Sequence, residues 1–333
     1  MCEIEEPSLN NEFEENTPSI VVFGDKSSGK SSVLKRLVGL PLPMGSTKCT
    51  PFEIRMLQTE EPLRKISLRY IEDENHKPTT PREVEFANIT DLNDEEIEEK
   101  LREAQRYVRN PSINAENTQL LPDSDELTFT KNVVCVTISG PDQMHSLPMV
   151  ELPGIVRDEE SHENFLLSLV KEYIKKETTI LVPVFQATSG IATQCVSRLA
   201  READPSGLRT VGVLTKMDRI INYMSDDEKH LELATFVKGQ GKHKLVNSVY
   251  VIRNPSSVRS EIFEDPDELE KATIEALKQH RIWRDVPSDQ FGLNNLTMKL
   301  NELQQRSEAQ ERPETEERPE TEVPSEAQEQ SSI

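Results

Sequence analysis

Cysteine is scarce in this chain, tryptophan occurs once, and aromatic residues make up only 5% of the composition. The four cysteines, Cys2, Cys49, Cys135 and Cys195, lie far apart with no paired spacing. That pattern argues against a zinc cluster or a disulfide framework and fits a reduced, cytosolic (cytoplasmic) compartment. No apolar run approaches the roughly 20 residues that a membrane-spanning helix needs, so no direct membrane-binding segment is expected. The opening residues carry Glu3, Glu5 and Glu6, the wrong charge for a signal or transit peptide. A basic excess is missing as well. The formal charge is −21, of which residues 1–17 and 306–333 hold −6 each and the body the remaining −9. No basic stripe is available to release counterions from a nucleic acid, so nucleic-acid binding is not expected.

What the chain has is an alternation of apolar strands and amphipathic segments. Strands are expected at 19–23, 52–57, 65–71, 132–138, 147–150, 179–185, 210–214 and 249–252. Helices are expected at 94–109, where Asn93 and Glu96 form a capping-box pattern, and at 165–175, 192–203, 266–281 and 292–305. Strand and helix in turn predict an α/β domain whose mainly parallel sheet is covered on both faces. Residues 72–93, with Pro78 and Pro81, read as a polar loop. In the tail, Arg312-Pro-Glu-Thr-Glu316 recurs as Arg318-Pro-Glu-Thr-Glu322, with almost no apolar residue around it. The chain therefore divides into an acidic, disordered 1–17, a domain over 18–305 and a disordered acidic tail over 306–333.

The chemistry lies in three segments. Gly24-Asp-Lys-Ser-Ser-Gly-Lys-Ser31 fits G-x-x-x-x-G-K-[ST] between an expected strand and an expected helix. Glycines there let backbone N–H groups and the helix N-terminus face a phosphate. Lys30 would reach the β- and γ-phosphates and Ser31 would hold Mg²⁺. Glu151-Leu-Pro-Gly154 and Thr215-Lys-Met-Asp218 each follow an apolar strand. In a guanine-binding P-loop protein those positions carry the metal-side acid and the base-side Asp. No Ser-His-Asp or Cys-His grouping competes. His145 and His162 read as solvated loop histidines, and Trp283 as core.

On these motifs the chain resembles the dynamin superfamily, including its Mx branch and especially dynamin-related proteins of fungi. The resemblance rests on Pro18–Val38, on Phe129–Ile155 with Ile138-Ser-Gly-Pro-Asp142, on Ala192–Asp218 with Ala-Asp-Pro-Ser-Gly207, and on Phe291-Gly-Leu-Asn-Asn-Leu296. It covers about 18–305, including an insertion after the first switch, and leaves no room for the family's stalk.

The resemblance implies a P-loop GTPase that hydrolyses GTP with Mg²⁺ and uses a monovalent cation. The implied nucleotide-binding residues are Gly24, Asp25, Lys26, Ser27, Ser28, Gly29, Lys30, Ser31, Ser32, Glu151, Leu152, Pro153, Gly154, Thr215, Lys216, Met217, Asp218 and Asn254. Lys26, Ser27, Thr50 and Gly154 are the implied catalytic positions, and Ser31, Thr50 and Glu151 the metal-side ones. Implied partners are a nucleotide-dependent homodimer or a heteromer with a stalk-bearing relative, through which membrane remodelling would act.

Six positions depart from the family pattern. Lys26 replaces the usual Gln, and Glu151 the usual Asp. Pro51 and Pro255 stand where Arg is common, Gly190 replaces an acid that reaches across the dimer, and Ile221 replaces a second base-side Asp. They leave a GTP-binding interaction module with little turnover as the alternative.

Overall fold

The computed structural model describes residues 19–43, 50–111, 128–141, 148–156, 160–221, 227–242, 244–255 and 265–311, with side chains to 307. Segment 1–17, Cys2, Cys49, His145 and the tail beyond 311 lie outside the described residues.

A single mixed sheet forms the middle layer. Its strands in chain order are β1 (Ile20–Phe23), β2 (Phe52–Gln58), β3 (Leu63–Glu72), β4 (Pro78–Asn88), β5 (Val133–Gly140), β6 (Met149–Glu151), β7 (Ile180–Gln186), β8 (Gly212–Thr215) and β9 (Val249–Val251). They lie side by side in the order β4-β3-β5-β2-β6-β1-β7-β8-β9. The ladders joining β6, β1, β7, β8 and β9 are all parallel. Their carboxyl ends therefore line one edge of the sheet, which is where open α/β sheets bind ligands. The strands read as near-continuous apolar runs because both faces are covered.

One helical layer holds α1 (Lys30–Val38), α2 (Asp94–Arg109) and α8 (Leu293–Glu311), whose apolar sides join a core with Leu34, Leu101 and Leu300. The opposite layer holds α3 (Glu160–Ile174), α4 (Cys195–Ala203), α5 (Met217–Ile221), α6 (Asp227–Val237) and α7 (Pro266–Gln279), over a core with Phe185, Leu233 and the fully buried Trp283. No helix among the described residues is long and apolar enough to cross a membrane.

Local sequence explains several boundaries. α1 stops at Gly39, whose φ of 65° returns its N–H to the Lys35 carbonyl. α2 spans the expected 94–109, and both halves of the Asn93/Glu96 capping box are formed. α8 runs to Glu311, six residues into the tail segment expected to be disordered.

The largest difference is β4, expected as loop. Pro78 and Pro81 lie on an outermost strand, where a missing N–H breaks no ladder bond. Its polar side chains pair instead of packing. Arg69 on β3 holds Glu53 on β2 at 2.7 Å and Glu83 on β4 at 3.2 Å, and Arg55 reaches Glu83 at 3.1 Å. These long side chains bridge over Cys135 on β5, whose thiol pKa is pushed up by burial.

Asn132 fixes the insertion to the rest of the domain. Its fully buried amide accepts from the Ile71 and Glu72 N–H groups at 2.7 and 3.0 Å. It donates to the Glu72 and Val108 carbonyls, both at 3.1 Å. His162 is a correction: it lies on α3, edge-on to Phe129 with ring centroids 5.1 Å apart, and is not a loop histidine.

Candidate nucleotide site

The loop from Gly24 to Gly29 leaves β1 and enters α1. Ser27 and Gly29 take φ of 62° and 99°, left-handed values that turn the chain sharply. The Lys30 ammonium folds back over this loop, donating to the Asp25 carbonyl at 3.2 Å and the Gly24 carbonyl at 3.4 Å. Gly24 is required by space: a Cβ there would lie 2.6 Å from the Val184 carbonyl oxygen. Among the described residues the buried Ser28 hydroxyl has no hydrogen-bond partner, an uncommon state for a buried polar group.

β6 delivers the second segment beside the loop. Glu151 is 7% exposed, and its carboxylate accepts from the Ser31 hydroxyl at 2.5 Å. Burial raises its pKa, while the Lys30 charge and the Ser31 hydrogen bond pull it down less strongly. Beyond Glu151 the chain stays against the loop: Ile155 N–H donates to the Gly24 carbonyl at 3.2 Å, and Lys26 N–H to the Ile155 carbonyl at 2.9 Å. Gly154 sits so close that a Cβ would meet the Lys26 Cα at 2.8 Å and the Lys30 Nζ at 3.0 Å.

β8 delivers the third. The Thr215 hydroxyl lies 2.6 Å from the Ser28 carbonyl and 3.1 Å from the Phe185 carbonyl, which ties the strand end to the phosphate loop. Lys216 adopts a φ of 62° and donates to the Gln186 side chain at 2.9 Å. Burial lowers its pKa, Arg219 and Lys30 add to that, and Asp218 opposes it. Met217 is buried, whereas the Asp218 carboxylate is partly exposed and has the Arg253 Nε 3.8 Å away. The buried Asn254 side-chain oxygen has no hydrogen-bond partner among the described residues.

Beside the loop opens a cavity of about 490 Å³ lined by Asp25, Lys26, Ile155, Val156, Ser189, Thr193 and Gln194. Gly190 brings no side chain to this wall, and its carbonyl accepts from the Thr193 hydroxyl at 2.8 Å.

The three segments meet on one edge, but Thr50 does not join Ser31 and Glu151. It is 3% exposed, and its hydroxyl donates to the Asn132 carbonyl. That bond satisfies a buried hydroxyl. Three features here carry no motif in the sequence. They are the Thr215–Ser28 tie, the Arg253–Asp218 pair, and the Gln194 amide, which holds the backbone N–H and carbonyl of Gln186 at 2.9 and 3.1 Å.

A phosphate loop after the first parallel strand, an acid and a glycine after the next, and a Thr-Lys-x-Asp turn further along define a P-loop nucleotide-binding domain of the α/β class. The family model described as "Dynamin family" matches residues 20–217, and the chain belongs to that family. It is 29% identical over 250 residues to the interferon-induced GTP-binding protein Mx2 of Sus scrofa, covering 70% of this chain and 31% of that protein. To the interferon-induced GTP-binding protein Mx1 of Ictalurus punctatus it is 34% identical over 214 residues, covering 61% of this chain and 29% of that one. To the Mx protein of Perca fluviatilis it is 33% identical over 224 residues, covering 64% of each. The chain thus spans about a third of the length of the first two relatives. It is a dynamin-type GTPase domain related to the Mx proteins.

Proposed function

We propose that this domain, over 18–305, binds GTP and hydrolyses it to GDP and phosphate in a Mg²⁺-dependent reaction. The observation that carries the reading is the Thr215–Ser28 contact of 2.6 Å. It fixes the base-side turn to the phosphate-side loop, so that one nucleotide can engage both. Lys30 would exchange its two loop carbonyls for the β- and γ-phosphates. Asp218 would accept from the guanine edge, and the unpartnered Asn254 oxygen offers a further acceptor.

An all-oxygen donor set with a buried carboxylate suits a hard cation, and Ser31 and Glu151 fit Mg²⁺. Once bound there, the cation would neutralise charge on the transferring phosphoryl group. Gly154, packed on the loop backbone, would position the attacking water through its N–H. Water oxygen would bond to the γ-phosphorus as the bond to the bridging β–γ oxygen breaks, the water proton passing to phosphate. Thr50 would have to leave the Asn132 carbonyl to reach the metal side.

The wall carrying Lys26 and Thr193, next to Gly190, is the proposed face for a nucleotide-dependent dimer, a monovalent cation or a stalk-bearing relative. A cytosolic setting fits Cys135 and Cys195, which form no disulfide among the described residues. The second reading, a GTP-binding module with little turnover, is favoured by Thr50 being held away from the metal pair. Displacement of labelled GTP by unlabelled GTP and ATP tests the binding claim. Tight displacement by GTP alone is expected, and equal displacement by ATP would sink the guanine assignment.

A further inference from the structure

The segment carrying Arg253 and Asn254 follows β9, and it is gripped on both sides of one residue. The Glu270 carboxylate on α7 accepts from the Arg253 N–H at 3.0 Å. The Arg36 guanidinium on α1 donates to the Arg253 carbonyl at 2.7 Å. Arg36 and Glu270 are themselves paired through two hydrogen bonds, at 3.1 and 3.0 Å, and both side chains are 8% exposed. The second Glu270 oxygen also accepts from the Leu293 N–H, the first of α8, at 3.0 Å. Burial works against the Arg36 charge, and Glu270 and Asp267 more than restore it. One carboxylate thus takes four donors from α1, the base-side segment and the start of α8. An ionised acceptor in a buried, fully paired network holds its partners far more tightly than a neutral one.

We infer that Glu270 is a positioning residue for guanine recognition: with Arg36 it fixes the Arg253 peptide, and thereby sets the Arg253 side chain beside Asp218 and places the next residue, Asn254. The inference rests on the base site proposed above. Glu270 reaches the base side through the Arg253 peptide, while its other donors, Arg36 and Leu293, belong to α1 and α8. The phosphate loop hangs on other contacts, namely those of Gly24, Ile155 and Thr215. Loss of Glu270 should therefore loosen the base side and spare the phosphate side.

The experiment is displacement of labelled GTP from the full chain by unlabelled GTP and unlabelled ATP, for wild type, Glu270→Ala and Glu270→Gln, with thermal melting in parallel. Charged hydrogen bonds of this kind are worth roughly ten- to hundredfold. Glu270→Ala is expected to lose about tenfold or more in GTP affinity, while ATP affinity changes less than about twofold. The guanine preference then collapses. Glu270→Gln keeps the volume but turns an NH₂ toward either the Arg253 or the Leu293 N–H, and it should show a smaller loss of the same kind. It also carries the test if the alanine variant does not fold. A folded variant whose GTP and ATP affinities fall together, or whose preference is unchanged, overturns the positioning role. A wild type without guanine preference overturns the base-site reading itself, and the two failures are told apart by the wild-type measurement.

Discussion

Glu151 and Ser31, 120 positions apart in the chain, share a hydrogen bond of 2.5 Å in the buried corner between β6 and α1. In a relative with aspartate here the carboxylate would sit one methylene further back. The longer side chain therefore reaches Ser31 directly, and the two oxygens form one side of the proposed metal site.

The raised pKa of Glu151 has opposite consequences for stability and for metal binding. Its folded-state pKa lies above that of the unfolded chain, so the folded state holds the extra proton between the two values. Stability of the metal-free protein should thus rise as pH falls through the folded value, whereas Mg²⁺-dependent GTP affinity should fall over the same window. Melting curves and GTP titrations from the ordinary carboxylate range upward check both trends. Glu151→Gln should flatten both, and an unchanged slope in that variant would mean another group titrates.

Gly154→Ala places a Cβ 2.8 Å from the Lys26 Cα, a backbone atom that cannot turn aside. The loop must shift, at about 1–3 kcal/mol for overpacking of this kind. A lower melting temperature and a larger loss in phosphate release than in GTP affinity are expected. A variant with wild-type melting and turnover would remove Gly154 from its assigned role.

Asn132→Ala strips partners from four backbone groups at once, three of them buried and the Ile71 N–H half-buried. Leaving buried groups unsatisfied costs about 1–3 kcal/mol each, partly recovered by water. The expected sum is about 3 kcal/mol or more in urea unfolding. Hydrogen exchange should speed up first near Val108 and Glu72, where the insertion is pinned. Uniform acceleration across the sheet would contradict a local pin.

Lys26 and Gly190 bear on turnover. Because Gly190 brings no carboxylate to the cavity wall, the specific rate of phosphate release should stay flat as protein concentration rises. Small misplacements of reacting groups cost large factors in rate, so Lys26→Gln with Glu151→Asp should raise it together. Phosphate release followed over a range of concentrations decides the matter. A wild-type rate that climbs steeply with concentration would show a working dimer mechanism, and a slower double mutant would mark both residues as adaptations.

The sequence made the parallel half of the sheet legible because its strands are buried on both faces and read as apolar runs. α2 was legible to the residue, since Asn93, Glu96 and the Ile97–Leu101–Ala104–Val108 spacing state its start and its inner face. β4 was hidden because its stabilisation comes from Arg69, Arg55 and Glu83 meeting across strands, and a row of charges and prolines looks like a loop. The three segments of the proposed nucleotide site were visible as motifs, since each is a local backbone requirement. Thr50 on Asn132, Thr215 on Ser28 and Glu270 on Arg253 were not. Each joins residues far apart in sequence by one hydrogen bond to a backbone group, which no periodicity records.

The proposed function stands or falls with Gly24–Ser31 as the phosphate site of a GTP-binding domain. It is tested most directly by calorimetric titration of GTP with Mg²⁺ into wild type and Lys30→Ala, with circular dichroism on both. Saturable binding to wild type, loss of at least about 2 kcal/mol of binding free energy in the variant, and unchanged spectra are expected. Equal affinity in a folded Lys30→Ala protein would contradict it.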